Sequence, residues 1–380
     1  VLQLKTIQIF NAANIKPKRS QKIVCSISIF KTIFNFQKNK RMKNSRYLLL
    51  PLAFALLQSC AANLSYSGSP FKTSYDSITS EELKTHLYVV ASDEMEGRDT
   101  GSEGQKKAGR YLIEQYRKMG VSHPKSMNSF YQIVPAEALK SRRSTLPQSE
   151  NILAYIEGSE KPDEVIVISA HYDHVGMSNG EIYNGADDDG SGTVALLEIA
   201  EAFQMAKKSG KGPKRSILFL HVTGEEHGLL GSKYYADNPI FPMANTVANL
   251  NIDMIGRCDA ENCGKDYVYV IGSEMLSTDL KKISEAANTA TTNMELNYKY
   301  DDPNDKDRLY YRSDHYNFAK NNVPVVFYFD GIHEDYHKPT DTPDKIDYEA
   351  LQKRTQLVFA TAWELANRKD RIVVDGTNKR

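Results

Sequence analysis

"EVIVISAHYDHVGMSNGEIYNGADDDGSGTVALLEIA", residues 164–200, changes character twice, and those changes decide the fold. Residues 165–168 are apolar on successive positions and Ala170 follows Ser169, so a strand here is apolar enough to be buried on both faces. From residue 192 to 210 the chain reads as a helix. Between strand and helix lies a polar loop carrying His171, Asp173 and the consecutive Asp187, Asp188 and Asp189. A doubly buried strand that feeds a helix is the building unit of a parallel sheet covered on both sides.

The same alternation extends outward in both directions. Strands are expected at 151–158, 215–223, 246–252, 266–272 and 323–329, and helices at 80–92, 101–120, 227–238, 275–289 and 347–368. A Ser80 cap opens the first helix, and Gly120 closes the second. With no repeat or low-complexity tract from residue 76 onward, the expected fold is a single α/β domain over 76–370. Its central sheet is mixed and mostly parallel, with helices on both faces.

In such sheets functional groups gather beyond the carboxyl ends of the strands. Past those ends stand His171 and Asp173, the pair Glu225 and Glu226, Asp253, and His337. Any one of them alone reads as a turn residue or helix cap. Together they form a nitrogen and oxygen donor set that suits zinc. Carboxylates crowded on one rim repel each other unless cations hold them.

Two other signatures compete. "HEDYH", residues 333–337, has the H-E-x-x-H spacing of His333, Glu334 and His337, which binds zinc only on a helix. It follows an apolar strand ending in Asp330-Gly331, and Pro339 and Pro343 come soon after, so a loop is expected. "GMSNG", residues 176–180, fits G-x-S-x-G, but a nucleophile elbow needs a helix immediately after the Ser. Ser178 is followed by loop-like "GEIYNG" instead.

"AHYDHVG", "NGADDDGSGTVALLEIA", "TGEEHGLLGS", "NLNIDMIGR" and "YHKPTDTPDKID" occur in this order. Together with "MEGRDTGSEGQKKAGRYL" near the start, they resemble the di-zinc exopeptidase family of bacterial leucyl aminopeptidases and glutamate carboxypeptidase-like enzymes over about residues 80–368. The resemblance implies a zinc exopeptidase (phosphorylase/hydrolase-like) fold and two Zn2+ ions, other divalent metals being possible. His171 and Asp253 would bind one ion, Glu226 and His337 the other, and Asp188 would bridge them. Glu225 would be the general base, and peptides the substrates. Asp173 is suited to accept the other N–H of His171. Asp314, His315 and Tyr336 are expected at the pocket wall. Asp187 and Asp189 are read as loop structure, and His174, His221 and His227 as core or rim histidines.

The implied activity is an aminopeptidase. A glutaminyl cyclase-like acyltransferase is the related alternative, but cyclases place a Trp beside the last metal His, where this chain has Tyr336; its single Trp is Trp363. A carboxypeptidase would need a basic clamp, for which Arg257, Arg308 and Arg312 are the candidates. A metal-site remnant acting as a surface binding lipoprotein is disfavoured, because the full ligand set and base are present.

Composition sets the remaining bounds. With 48 basic and 48 acidic residues the formal net charge is +0, so no nucleic-acid partner is expected. From Met42, "MKNSRYLLLPLAFALLQSC" has the layout of a signal peptide, and "LQSC" resembles a bacterial lipobox. This reading is taken over an ordinary signal cut near Ala61 or a chance apolar stretch. The expectation is therefore a 42–59 lipoprotein signal, a lipidated Cys60, and a Ser-rich tether over 60–75. The protein would be exported and anchored to a bacterial membrane, the outer one, facing periplasm or cell surface. Residues 1–41 are set aside as outside the native protein, and 371–380 read as a polar tail. Export permits a disulfide between Cys258 and Cys263, two free thiols being the alternative.

Overall fold

The computed structural model describes Tyr66 and residues 68–140, 146–302 and 304–377. Residues 1–41, the signal segment 42–59 and Cys60 lie outside the described residues.

In chain order the strands are β1 (Tyr131–Val134), β2 (Ser149–Ile156), β3 (Lys161–His171), β4 (Met177–Ser178), β5 (Glu181–Ile182), β6 (Arg215–Val222), β7 (Thr246–Ile252), β8 (Tyr267–Ile271), β9 (Glu295–Asn297) and β10 (Val325–Phe329). An eight-stranded sheet has the order β1-β2-β6-β3-β7-β10-β8-β9, and β4 and β5 form a separate hairpin. Its four central strands, β6, β3, β7 and β10, are parallel. They share one carboxyl edge, and the chain leaves that edge at His171, Val222, Ile252 and Phe329. The flanks are mixed: β2 joins β6, and β8 joins β10, antiparallel. The sheet is thus the mixed, mostly parallel one expected.

The helices are α1 (Ser69–Asp76), α2 (Ser80–Val90), α3 (Glu103–Met119), α4 (Gly192–Lys208), α5 (Leu230–Asp237), α6 (Thr278–Ala290), α7 (His315–Ala319) and α8 (Tyr348–Asn367). Successive residues of β3 point to opposite faces. Ile166 and Ile168 meet a core that includes residues of α2, α3, α4 and α8. Val165 and Val167 meet a smaller core with Tyr235 of α5 and Phe318 of α7. Both faces are covered, which is why β3 carries no polar alternation. Among the described residues no helix is long and apolar enough to cross a membrane.

Several expectations change in detail. The side chain capping α2 is Thr79, whose hydroxyl accepts from Glu82 N, rather than Ser80. Gly120 closes α3 in a left-handed conformation, φ 78°. The stretch read as a tether contains α1, where Phe71 is buried against Phe359 and Trp363 of α8. Tyr66 and Tyr75 pack on the Phe71 ring, so aromatics anchor an otherwise polar segment. The polar tail also packs in part: Ile372 is buried, and the Arg371 guanidinium donates to the carbonyls of Ala244 and Thr246. Cys258 and Cys263 are joined in a disulfide.

One buried charge tests the packing of α4. Glu198 is 2% exposed, 3.6 Å from His86 Nε2, while His86 Nδ1 lies 2.7 Å from Tyr111 Oη. Burial holds His86 below the ordinary histidine range, so it offers Glu198 no cation. Burial, with Glu82 and Glu201 nearby, pushes the Glu198 carboxyl from 4.5 up to about 8. Between those values the folded chain holds a proton that the unfolded chain has released, so stability falls as pH rises through this window. Glu198→Gln removes that dependence. Its melting temperature is expected to match wild type near pH ~4 and exceed it by about 2 °C or more near pH ~9. An equal gap at both pH values would exclude titration of Glu198 as the cause.

Candidate metal centre

His171 ends β3, and α4 returns to meet it. Its backbone N–H donates to Asp189 Oδ2 (3.1 Å), and its carbonyl accepts from Thr193 Oγ1 (2.7 Å). Its Nδ1 lies 3.0 Å from the Asp173 carbonyl oxygen. A carbonyl only accepts, so Nδ1 carries a proton. Burial opposes a second proton on Nε2, but Asp253, Glu225 and Asp188 override it and raise the His171 pKa well above the ordinary histidine range in the metal-free chain, where a metal cation would take that proton's place. That Nε2 is 3.2 Å from Asp188 Oδ1 and 3.6 Å from Asp253 Oδ1. The expected role of the Asp173 side chain is corrected. It is the Asp173 carbonyl that orients His171, because its carboxylate is occupied by Thr100 Oγ1 (2.8 Å) and Glu225 N (3.2 Å).

The consecutive aspartates lie in a tight turn, Ala186–Ser191, with a cis bond between Asp188 and Asp189. Each does a different job. Asp187 Oδ1 accepts from Gly256 N (2.7 Å), and its Oδ2 is 3.2 Å from His333 Nε2. Asp189 accepts from the N–H groups of His171, Gly192 and Met254, tying the exits of β3 and β7 to the start of α4. Asp188 turns the other way, with Oδ1 toward His171 and Oδ2 2.9 Å from His337 Nε2.

The remaining donors arrive from the neighbouring strand ends. Asp253, after β7, accepts Ser313 Oγ on Oδ2 (2.6 Å), which leaves Oδ1 facing His171. Glu226, after β6, puts Oε2 3.2 Å from His337 Nε2. His337 adopts φ 54° and stacks on Tyr336 at 3.9 Å. Asp188 is held well below the usual carboxylate range: burial opposes this, and His174, His171 and His337 override it. Glu225 goes the opposite way. Burial, then the negative charges of Asp253, Glu226 and Asp314, push it well above that range, and His171 opposes. Cations among these groups would reverse much of that shift.

Among the described residues two clusters could hold a metal: His171 with Asp188 and Asp253, and His174 with Asp188 and Glu226. The donors fit zinc: imidazole nitrogens and carboxylate oxygens, with buried Asp188 Oδ2 and Glu226 Oε1 left without a hydrogen bond among the described residues.

A cleft opens beside the first cluster, lined by His171, Asp188, Glu225 and Asp253 on one side. Met254, Leu309, Phe327, Phe329, Ile332 and Tyr336 form an apolar wall, and Arg312 stands with them. Asp314 and His315 are not in that wall. Both are fully buried behind it, with His315 stacked on Phe327 at 4.8 Å. Ser313, just before them, is the residue that touches the site. Of the other candidate clamps, Arg257 pairs with Asp335 (3.0 Å), and Arg308 lies over the Tyr311 ring (4.8 Å).

The H-E-x-x-H segment forms turns rather than a helix. Glu334 is exposed, and His333 is engaged with Asp187 behind the site. Ser178 is exposed on the β4–β5 hairpin, remote from any strand-to-helix elbow. His221 is a core residue, Nε2 2.7 Å from Tyr116 Oη, and His227 a rim residue, 3.3 Å from Asp99 Oδ1.

Sequence reading missed Arg98 and His174. Arg98 is buried, and its guanidinium donates to the carbonyls of Tyr172, Val90, Asn184 and Gly185, clamping both halves of the loop between β3 and α4. A charged residue inside a buried Met-Glu-Gly-Arg turn was the available signal. His174 is buried with Nδ1 2.9 Å from Glu226 Oε1.

Residues 151–362 match the model of peptidase family M28. The chain is 31% identical over 224 residues to a probable leucine aminopeptidase of Arthroderma otae, covering 57% of this chain and 57% of that protein. It thus spans little more than half the length of such curated relatives. Among solved structures it is similar to the LapA aminopeptidase of Legionella pneumophila, with TM-score 0.60, 19% identity, and coverage of 79% of this chain and 74% of that one. A zinc aminopeptidase from Bacillus subtilis superposes with TM-score 0.58 at 16% identity, covering 78% and 98%. At these identities the structural likeness speaks for the fold.

Proposed function

The chain belongs to peptidase family M28, and from that premise we propose that it is a two-zinc aminopeptidase that removes N-terminal residues from peptides. The observation that carries this reading is the split of the Asp188 carboxylate. Its Oδ1 faces His171 Nε2 at 3.2 Å and its Oδ2 faces His337 Nε2 at 2.9 Å, so one side chain serves two donor clusters. In this reading His171 and Asp253 would hold one ion, Glu226 and His337 the other, and Asp188 would serve both. Zinc, when bound, supplies Lewis acidity at the scissile carbonyl and acidifies water.

The chain's own groups do the rest. Glu225 takes the proton of the attacking water on a carboxylate oxygen and delivers it to the departing amine. The Asp173 carboxylate fixes Glu225 through its backbone N–H. A free substrate amine meets a carboxylate-rich rim at Asp253 and Glu225. The apolar wall around Phe327 and Phe329 favours an apolar N-terminal side chain. Of the three arginines considered as a clamp for a terminal carboxylate, Arg312 alone lines the cleft among the described residues, and the choice of an amine rests on the carboxylate-rich rim. Export and attachment to a membrane through a lipidated Cys60 belong to the same proposal and rest on residues 42–60.

The test is hydrolysis of aminoacyl-4-nitroanilides and their N-blocked counterparts, before and after chelation with zinc add-back. Cleavage of free-amine substrates only, lost on chelation and restored by zinc, is the expected result. Cleavage of blocked substrates, or activity insensitive to chelation, would overturn it.

A further inference from the structure

His174 stands on the second donor cluster with nothing else to do. Its side chain is fully buried, and neither ring nitrogen has a hydrogen-bond partner among the described residues. Leaving a buried imidazole unsatisfied is costly. The ring is nevertheless held firmly in place. Its backbone N–H donates to the Arg98 carbonyl (3.1 Å), and a Cβ built on Gly185 would lie 2.5 Å from His174 Cδ2, so a glycine there leaves room for the imidazole.

Nδ1 points into a group of atoms that are themselves unsatisfied. It lies 2.9 Å from Glu226 Oε1 and 3.7 Å from Asp188 Oδ2, and neither oxygen has a hydrogen bond among the described residues. The contact with Glu226 is short, but it is not aligned as a hydrogen bond. Three buried donors therefore converge without bonding one another. His171 presents Nε2 to Asp188 and Asp253 in the same manner across the shared carboxylate.

Resting on the two-zinc reading above, we infer that His174 Nδ1 is an additional ligand of the second ion. That site then has four protein donors, His174, Asp188, Glu226 and His337, against three at His171, Asp188 and Asp253. A site filled by protein ligands holds its metal for structure, and a site with an open position admits water or substrate. The first site is accordingly the one that opens onto the cleft, and His171, Asp188 and Asp253 line that cleft while His174 does not.

The test is zinc binding itself, measured by titration of the chelated protein against a chromophoric competitor, with no peptide present. Wild type is expected to bind two ions. In His174→Ala and in His174→Asn, one binding event should weaken by more than about 100-fold, beyond the usual effect of a residue that only orients a ligand, and the other should stay within about 3-fold. The asparagine variant keeps a polar N–H near Glu226 and covers the case in which alanine fails to fold. If His174→Asn restores both affinities, His174 is a hydrogen-bonding neighbour of Glu226 and the inference is overturned. If wild type binds one ion only, the two-ion reading fails separately. Loss of that single event in His174→Asn would still support ligation, and its persistence would overturn it.

Discussion

Glu225→Gln is expected to lower kcat by about 10²–10⁴-fold while zinc content stays at the wild-type value. Glutamine keeps the shape of the side chain and cannot accept a proton. The link that positions this residue is unaffected, because Asp173 Oδ1 accepts from the backbone N–H of Glu225 and not from its side chain. Glu225 lines the cleft with His171, Asp188 and Asp253, yet in the assignment above it holds no ion. Loss of rate without loss of metal is therefore the signature of a proton carrier. Burial and the nearby Asp253, Glu226 and Asp314 raise its pKa in the metal-free chain, and two cations would lower it again and favour the ionised form a general base needs. A kcat within about 10-fold of wild type would exclude Glu225 as the base. Loss of zinc together with rate would instead make it a ligand.

What the sequence disclosed about this site follows from where its residues stand. His171 ends a doubly buried strand, Asp253 directly follows one, and Glu225 and Glu226 come within four residues of the end of another, so position and chemistry coincide in a readable pattern. His337 is harder to read: seven residues separate it from the end of β10, and only the prolines that follow argue against the competing H-E-x-x-H spacing. His174 stands at a strand exit too, three residues past the end of β3, but beside His171 it reads as a rim histidine, and Arg98 follows no strand. His174 reaches the second cluster because the Arg98 carbonyl and Gly185 seat it, both of which are tertiary facts.

The fold shows the same division. β3 and β6 were legible because every residue from Val165 to Ala170 and from Arg215 to Val222 is buried. The short edges β1 and β9 were not, having too few residues to establish a period. The antiparallel setting of β8 beside β10 depends on the path of the long connection, which no local pattern encodes. α1 gives no periodic signal, because Phe71 and Tyr75 are its only aromatic residues among polar neighbours, although the Phe71 ring completes a cluster with Phe359 and Trp363.

Asp188→Asn is expected to weaken zinc binding at both clusters by more than about 100-fold and to reduce peptide hydrolysis to background. The reason lies in the two oxygens. Asp188 Oδ1 serves His171 and Oδ2 serves His337, so a neutral amide leaves at most one donor oxygen and removes the charge that both ions share. Burial alone would raise this carboxyl, and His174, His171 and His337 pull it well below the usual range, so it is ionised whenever the protein is folded near neutrality. Replacing it leaves the buried imidazoles of His171 and His174, and the partly exposed one of His337, without their common acceptor, and the apo protein is expected to lose stability as well. The decisive comparison is with Glu226→Gln, which touches only the second cluster. If the two-ion reading holds, Glu226→Gln weakens one binding event and Asp188→Asn weakens both. If Asp188→Asn disturbs a single event, the carboxylate belongs to one ion, and the shared-ligand geometry on which the proposed function rests is wrong.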